Sequence, residues 1–133
     1  ISWLAERGES MAANKVLIAE DEPHIVESLS FLLSREGFDV SSAADGEAAF
    51  ACLEEDPPDL MILDVMLPRM NGFEVQRRER ADPRLKALPV IMLTAKGQHQ
   101  DRRRAEEIGA DAFITKPFSN REVVDRVRAL VAR

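Results

Sequence analysis

From residue 15 onward, short apolar segments alternate five times with segments of helical periodicity, and no other feature of the sequence constrains the fold as strongly. This alternation is typical of a parallel sheet whose strands are joined by crossover helices. With 133 residues, the chain has room for one domain of this kind. We therefore predict a single α/β domain with strands at 16–19, 39–43, 60–63, 90–93 and 112–115.

The composition of the five segments predicts their places in the sheet. Residues 16–19, 60–63 and 90–93 are continuous apolar runs, typical of strands that are buried on both faces. Residues 39–43 and 112–115 are mixed, which suits the edges. The pattern fits a doubly wound, flavodoxin-like sheet with the strand order 2-1-3-4-5 that is known for this fold. In such sheets, ligands bind at the carboxyl ends of the strands.

Five helices are predicted around the strands. Pro23 suits the first helical position, where its missing N–H costs nothing. Asp45 is the expected N-cap of the second helix, and Ser119 begins a capping box at the last one. The third helix is expected over about 73–80 and the fourth over about 98–108. The number and order of the helices agree with crossovers between parallel strands.

The fourth helix has the weakest helical pattern in the chain. Only Ala105 and Ile108 are clearly apolar within it, and most helix stability in proteins comes from a buried apolar stripe. The basic run Arg102, Arg103 and Arg104 crowds its first half, where the helix dipole favours acidic residues. We therefore expect this helix to be the mobile output element of the domain.

The N-terminal residues, the single cysteine and the net charge indicate what kind of protein this is. Residues 1–14 match no strand or helix pattern and are expected to be an N-terminal extension or linker remnant, with the domain over 15–133. Met11 could be an alternative start, which favours a stand-alone domain over a fragment. The single Cys52 and the lack of a long apolar run predict a cytoplasmic protein with no membrane contact. The net charge of −6 argues against direct binding of nucleic acid.

Polar side chains follow the strands at the carboxyl edge of the predicted sheet: Glu20, Asp21, Asp64, Thr94 and Lys116. Because parallel strands end at the same edge, these side chains should lie close together. Three crowded carboxylates repel one another, so their convergence calls for a cation. An all-oxygen site suits Mg²⁺, or Mn²⁺, better than zinc.

A magnesium ion held by one or two carboxylates usually works with a phosphate. Asp64 could be a metal ligand only, or it could be the nucleophile that accepts a phosphoryl group. Lys116 offers a point charge, and Thr94 a hydroxyl donor, for the transferred oxygens. One such residue at a strand end is more often a turn former or helix cap, but the joint occurrence favours a phosphoryl-transfer site.

Four segments, VLIAEDEP, LMILDVMLPRMNGFE, PVIMLTA and DAFITKPF, resemble the signature segments of the receiver domain of response regulators in two-component signalling, the CheY-like family. The resemblance covers about residues 15–132. It implies a phosphoacceptor at Asp64 and a magnesium ion bound by Asp21, Asp64 and the backbone carbonyl of Met66. Glu20 would support the metal through a water molecule.

The resemblance also implies how the phosphoryl group is sensed. Thr94 and Lys116 would contact it, and Phe113 would be a switch aromatic that turns inward with Thr94. Tyr is frequent at that position in the family, and an ordinary core role for Phe113 is an equal alternative. The implied phosphodonor is a histidine kinase or a histidine phosphotransfer protein. The implied output is a protein partner at the surface of helix 4, strand 5 and helix 5.

Two other functions fit parts of the pattern. A magnesium-dependent phosphatase or phosphotransferase would also use an aspartyl nucleophile, but that class carries a second Asp two residues later, where this chain has Met66. A pseudo-receiver that serves only as a scaffold is disfavoured by the complete acidic set. We expect a regulatory phosphoacceptor, not an enzyme, which assists its own phosphorylation and dephosphorylation. His24 and His99 lack partners at metal-ligand spacing and are not expected to bind metal.

Overall fold

The computed structural model describes residues 14–95 and 99–132. Its strands form one parallel sheet of order β2-β1-β3-β4-β5, which confirms the predicted doubly wound, flavodoxin-like fold. The strands are β1 (Lys15–Ala19), β2 (Asp39–Ala43), β3 (Leu60–Asp64), β4 (Val90–Ala95) and β5 (Ala112–Lys116). The helices are α1 (Pro23–Arg35), α2 (Gly46–Glu55), α3 (Gly72–Ala81), α4 (His99–Ile108) and α5 (Asn120–Val131).

Two apolar cores lie on opposite faces of the sheet because side chains alternate along each strand. On one face, Leu17 and Met61 lie among buried residues that α2, α3 and α4 cover. On the other, Ile18 and Ile62 lie among buried residues that α1 and α5 cover. The three central strands are buried on both faces, as their apolar runs predict, and β2 and β5 form the edges.

Local capping sets where several helices begin. Pro23 opens α1, and the side chains of Asp45 and Ser119 accept hydrogen bonds from the backbone N–H of the third residue after them, as predicted. Asn71 caps α3 in the same way, which the sequence analysis did not anticipate. Gly37, which follows α1, has a φ of 95°, a value that favours glycine.

The observed boundaries lie within two residues of the predicted ones wherever the structure describes them. The main differences are that β3 includes Asp64, that β4 runs on to Ala95, and that α3 already begins at Gly72. Gln98 and residues 1–13, most of the predicted extension, lie outside the described residues. Among the described helices, none is long and apolar enough to cross a membrane.

Candidate functional site

Three carboxylates meet at the carboxyl edge of the sheet. Glu20 and Asp21 directly follow β1, and Asp64 ends β3, the strand paired with β1. One oxygen from each lies within 4.8 Å of the others. Asp21 is exposed, whereas Glu20 and Asp64 are almost completely buried, at 1% and 4% exposure. The predicted convergence of the acids is therefore present, in a cleft that is open on the Asp21 side.

Glu20 is fixed by its own loop. Its Oε2 accepts hydrogen bonds from the backbone N–H of Asp21 at 2.9 Å and of Glu22 at 3.3 Å. Its buried Oε1 lies 2.7 Å from Lys116 Nζ, but no donor among the described residues is oriented to hydrogen-bond it. A buried oxygen of this kind has capacity for a further ligand.

Lys116 reaches the acids from the end of β5, across β4. Its Nζ donates a 2.8 Å hydrogen bond to Asp64 Oδ2 in addition to its contact with Glu20. The Met66 backbone N–H donates to the other Asp64 oxygen, Oδ1, at 2.9 Å. The peptide bond between Lys116 and Pro117 is cis. Asp64 is thus held from two sides, which fixes the direction of both of its oxygens.

Burial and neighbouring charges shift the pKa values of the two buried acids in opposite directions. Burial raises the pKa of Glu20 to about 7, and the neighbouring Asp64 adds to this, against the opposing effect of Lys116. Burial also favours a higher pKa for Asp64. Hydrogen bonding with the Glu20 carboxyl, the Lys116 ammonium and the Met66 N–H outweighs this effect and lowers the pKa. Burial disfavours the charged form of Lys116, yet its contacts with the Asp64 and Glu20 carboxylates raise its pKa overall. Asp64 is therefore ionised at neutral pH.

The remaining predicted residues occupy the strands beside this cluster. Thr94 is buried near the end of β4, between the strands that carry Asp64 and Lys116. Phe113 is half-buried on β5, and the Arg102 guanidinium lies 5.1 Å from the centre of its ring. Met66 is 72% exposed, and its backbone N–H contacts Asp64. Thr94 therefore lies on the strand between Asp64 and Lys116, and Phe113 lies on the same strand as Lys116.

A glycine that sequence reasoning did not assign allows the backbone of Asp64 to pack closely. A Cβ at Gly72 would lie 2.4 Å from the backbone oxygen of Asp64, too close for any other residue. The Gly72 N–H also donates to the backbone oxygen of Val65 at 3.0 Å. The Asn71-Gly72 pair, a common turn signal, is the feature of the sequence that could have indicated this.

A cleft of about 430 Å³ lies between Asp21 and α4. Asp21 and Met66 line it together with Phe73 of α3 and with Asp101 and Arg104 of α4. The Arg104 guanidinium lies 4.5 Å from the centre of the Phe73 ring. Sequence reasoning noted the arginine run but did not identify which arginine faces the site. A second cleft, of about 500 Å³ on α1, contains none of the three acids.

The donor set fits a hard divalent cation. All the side-chain ligands on offer are carboxylate oxygens, the ligands that Mg²⁺ and Mn²⁺ prefer. The buried Glu20 Oε1 lacks a well-oriented donor, and three carboxyl groups share one ammonium group. Both features are relieved by a cation at this place, so the residues present agree with a magnesium site.

Comparison with known proteins places this geometry in a family. The family model described as "Response regulator receiver domain" matches residues 16–128. The alkaline phosphatase synthesis transcriptional regulatory protein PhoP of Bacillus subtilis is 45% identical over 119 residues, which are 90% of this chain and 49% of that protein. The DNA-binding dual master transcriptional regulator RpaA of Synechocystis is 44% identical, with the same two coverages. The chain therefore spans about half the length of these relatives.

A solved structure agrees with the sequence comparison. The receiver domain of the sensor histidine kinase PA1611 from Pseudomonas aeruginosa superimposes with a TM-score of 0.85 at 27% identity. The match covers 92% of this chain and all of that one, and that structure has a magnesium ion coordinated in its active-site cleft. Receiver domains are regulatory phosphoacceptor modules of two-component signalling. The sequence match, the strand order and the acidic cleft agree, and this chain belongs to the family of response regulator receiver domains.

Proposed function

We propose that this domain is a phosphorylation switch in which Asp64 accepts a phosphoryl group in the presence of Mg²⁺. The observation that carries the proposal is the position of Asp64, whose carboxylate is buried at a strand end and fixed by Lys116 Nζ and the Met66 N–H. A nucleophile needs a defined direction and an ionised form, and these contacts provide both. The lowered pKa of Asp64 keeps its carboxylate charged at neutral pH.

The metal would be held by the carboxylates of Asp21 and Asp64 and by the backbone carbonyl of Met66, with Glu20 supporting it through water. When bound, Mg²⁺ would neutralise charge on the oxygens of the phosphoryl group, and Mn²⁺ could take its place. The buried, under-bonded Oε1 of Glu20 supports this assignment. So does the magnesium ion in the related receiver domain of PA1611.

The chain's own residues would position and stabilise the reacting groups. An oxygen of Asp64 attacks phosphorus, the bond between phosphorus and the donor breaks, and the donor departs with the electron pair. The Lys116 ammonium then shares its charge between Asp64 and the new phosphoryl oxygens. Thr94, from the strand between them, donates its hydroxyl to one of those oxygens. Repositioning of Thr94 would draw Phe113 inward and change the outer surface of the domain.

The proposed partners follow from this role. The donor is a histidine kinase or a histidine phosphotransfer protein, and the output is a protein partner that binds the surface formed by α4, β5 and α5. Two full-length relatives are named as transcriptional regulators, but the net charge of −6 supports protein contacts, not direct contact with nucleic acid, for this domain. A cytoplasmic location agrees with the free thiol of Cys52.

Intact-mass spectrometry after treatment with acetyl phosphate and Mg²⁺ tests the proposal. Wild type should gain one phosphoryl group, and a chelator added beforehand should prevent this. Asp64→Asn should gain none, whereas Asp125→Asn, which removes an exposed acid on α5, should behave as wild type. Stoichiometric labelling of Asp64→Asn would refute the assignment.

A further inference from the structure

The cleft beside the carboxylates contains a cation that the proposed phosphorylation does not use. Arg104 of α4 lines the same cleft as Asp21 and Met66, which flank the proposed phosphoacceptor on the open side. A volume of about 430 Å³ lies within the range of small-molecule sites. A small phosphodonor that approached Asp64 past Asp21 and Met66 would therefore pass through a space that Arg104 borders.

An aromatic ring holds Arg104 in place. Its guanidinium lies 4.5 Å from the centre of the Phe73 ring, and Phe73 is buried at the first turn of α3. Cation–π contact at this distance fixes the position of the guanidinium but leaves its N–H donors available. Arg104 is thus oriented without consuming its hydrogen-bonding capacity.

The charge of Arg104 is also uncompensated, unlike that of the three arginines of α3. Arg77 and Arg78 pair with Glu74, and Arg80 pairs with Asp111. Within residues 14–95 and 99–132, no carboxylate lies within ion-pair distance of Arg104, although Asp101 lines the same cleft. A fixed, unpaired guanidinium at a cleft favours a planar anion such as a carboxylate.

From this geometry we infer that Arg104 is a specificity-determining residue, which favours small phosphodonors with a carboxylate leaving group, namely acyl phosphates. The inference rests on the proposed phosphorylation of Asp64. In that reaction the phosphorus–oxygen bond to the acyl group breaks, its electron pair stays on the departing carboxylate, and a bond forms between phosphorus and an Asp64 oxygen. No proton is transferred. Arg104 stabilises the negative charge that develops on the departing carboxylate.

Phosphoramidate is the matched comparison because its leaving group develops no negative charge. Its phosphorus–nitrogen bond breaks with the nitrogen already protonated, so ammonia departs. Arg104 should therefore accelerate the reaction with acetyl phosphate and have little effect on the reaction with phosphoramidate. Phosphorylation of Asp64 by either donor otherwise uses the same residues.

The test measures initial rates of phosphorylation with both donors, at saturating Mg²⁺, for wild type and three variants. Arg104→Gln should slow the acetyl phosphate reaction about fivefold, as expected for one partly solvated charge contact, and change the phosphoramidate rate less than twofold. Arg104→Lys should keep part of the acetyl phosphate rate. Arg103→Gln removes the same charge from an exposed position of α4 that does not line the cleft, and it should match wild type.

A dependence on salt separates this charge effect from a change in helix packing. The advantage of wild type over Arg104→Gln with acetyl phosphate should shrink as ionic strength rises, because exposed charges are screened. Equal slowing with both donors, or no slowing with either, would overturn the inference while phosphoramidate labelling of wild type upholds the phosphoacceptor role. Failure of both donors to label wild type would overturn the phosphoacceptor role and this inference together.

Discussion

The Lys116 ammonium donates a 2.8 Å hydrogen bond to Asp64 Oδ2, joining the ends of two strands that are separated by β4 and by 52 residues of sequence. It also lies 2.7 Å from Glu20 Oε1. The only cation in contact with two buried carboxylates among the described residues is therefore also a proposed contact of the phosphoryl group. This dual role links the stability of the domain to its chemistry.

Replacing Lys116 should destabilise the metal-free domain. Lys116→Met leaves Glu20 and Asp64 without their positive partner, and we expect a loss of about 2 kcal/mol in the free energy of unfolding, since Lys116 retains some solvent contact. Urea denaturation without Mg²⁺ measures this loss. Lys15→Met, which breaks the exposed ion pair with Asp56, is the control and should have a much smaller effect. Equal losses in the two variants would contradict the account.

Removing the exposed acid of the cluster should weaken Mg²⁺ binding without lowering the stability of the metal-free domain. Asp21→Ala takes away one of the few protein oxygens available to a hydrated Mg²⁺, so its affinity for Mg²⁺ should fall at least tenfold by calorimetry, an order-of-magnitude expectation of about 1.4 kcal/mol. The same change relieves repulsion among the three acids. Its metal-free melting temperature should therefore be no lower than that of wild type. Unchanged Mg²⁺ affinity would refute the metal site.

A second buried acid, Glu79 on α3, predicts a dependence of stability on pH. Burial raises its pKa from an ordinary 4.5 to about 7, Asp111 adds to the increase, and Arg80 opposes it. Neither of its carboxylate oxygens accepts a hydrogen bond from the described residues. Because the folded state binds the proton more tightly, the stabilising contribution of protonated Glu79 is complete below pH 4.5 and is lost as the pH rises to about 7.

Glu79→Gln should remove this dependence. The difference in unfolding free energy between wild type and variant should change by about 2 kcal/mol in favour of the variant between pH 4.5 and pH 7.5. The comparison must be made as a difference because Glu20 also has a pKa of about 7. Denaturation curves at five pH values in this interval give the result. A difference that is constant with pH would show that folding does not change the pKa of Glu79.

The weak apolar stripe of α4 predicts local mobility. Within the helix, Ala105 is fully buried and Ile108 only partly so, whereas α1 and α5 each bury three branched apolar side chains. Amides of residues 99–108 should therefore exchange with solvent faster than those of α1 and α5. They should slow when Mg²⁺ and a phosphoryl mimic such as beryllofluoride are added. Equal protection of all three helices in both states would place the switch elsewhere.

The sequence alone was sufficient to predict the strands of the sheet and the convergence of the acids at its edge. The apolar runs are continuous because β1, β3 and β4 are buried on both faces, so their composition reports their central places directly. The positions of Glu20 and Asp64 then follow, because residues at the ends of adjacent parallel strands must be neighbours. These are local patterns with a direct geometric consequence.

Contacts between helices were harder to predict from the sequence. Gln76 and Glu79 belong to a strongly charged segment that suggests a solvated face, yet α3 lies between α2 and α4, and both side chains are buried. Likewise, three consecutive arginines give no indication that Arg104 lies on Phe73 and Arg102 on Phe113. Such contacts depend on how the helices rotate against one another, which the pattern of a single helix does not determine.

The central claim is that Asp64 is the phosphoacceptor, and chemical trapping tests it most directly. Borohydride reduces an acyl phosphate to an alcohol, so a phosphorylated aspartate becomes homoserine and can be located by peptide sequencing. After treatment with acetyl phosphate, Mg²⁺ and then borohydride, homoserine should be found at position 64 and at no other acidic position. Reduction at position 20 or 21, or a protein that is labelled without any change at position 64, would contradict the account.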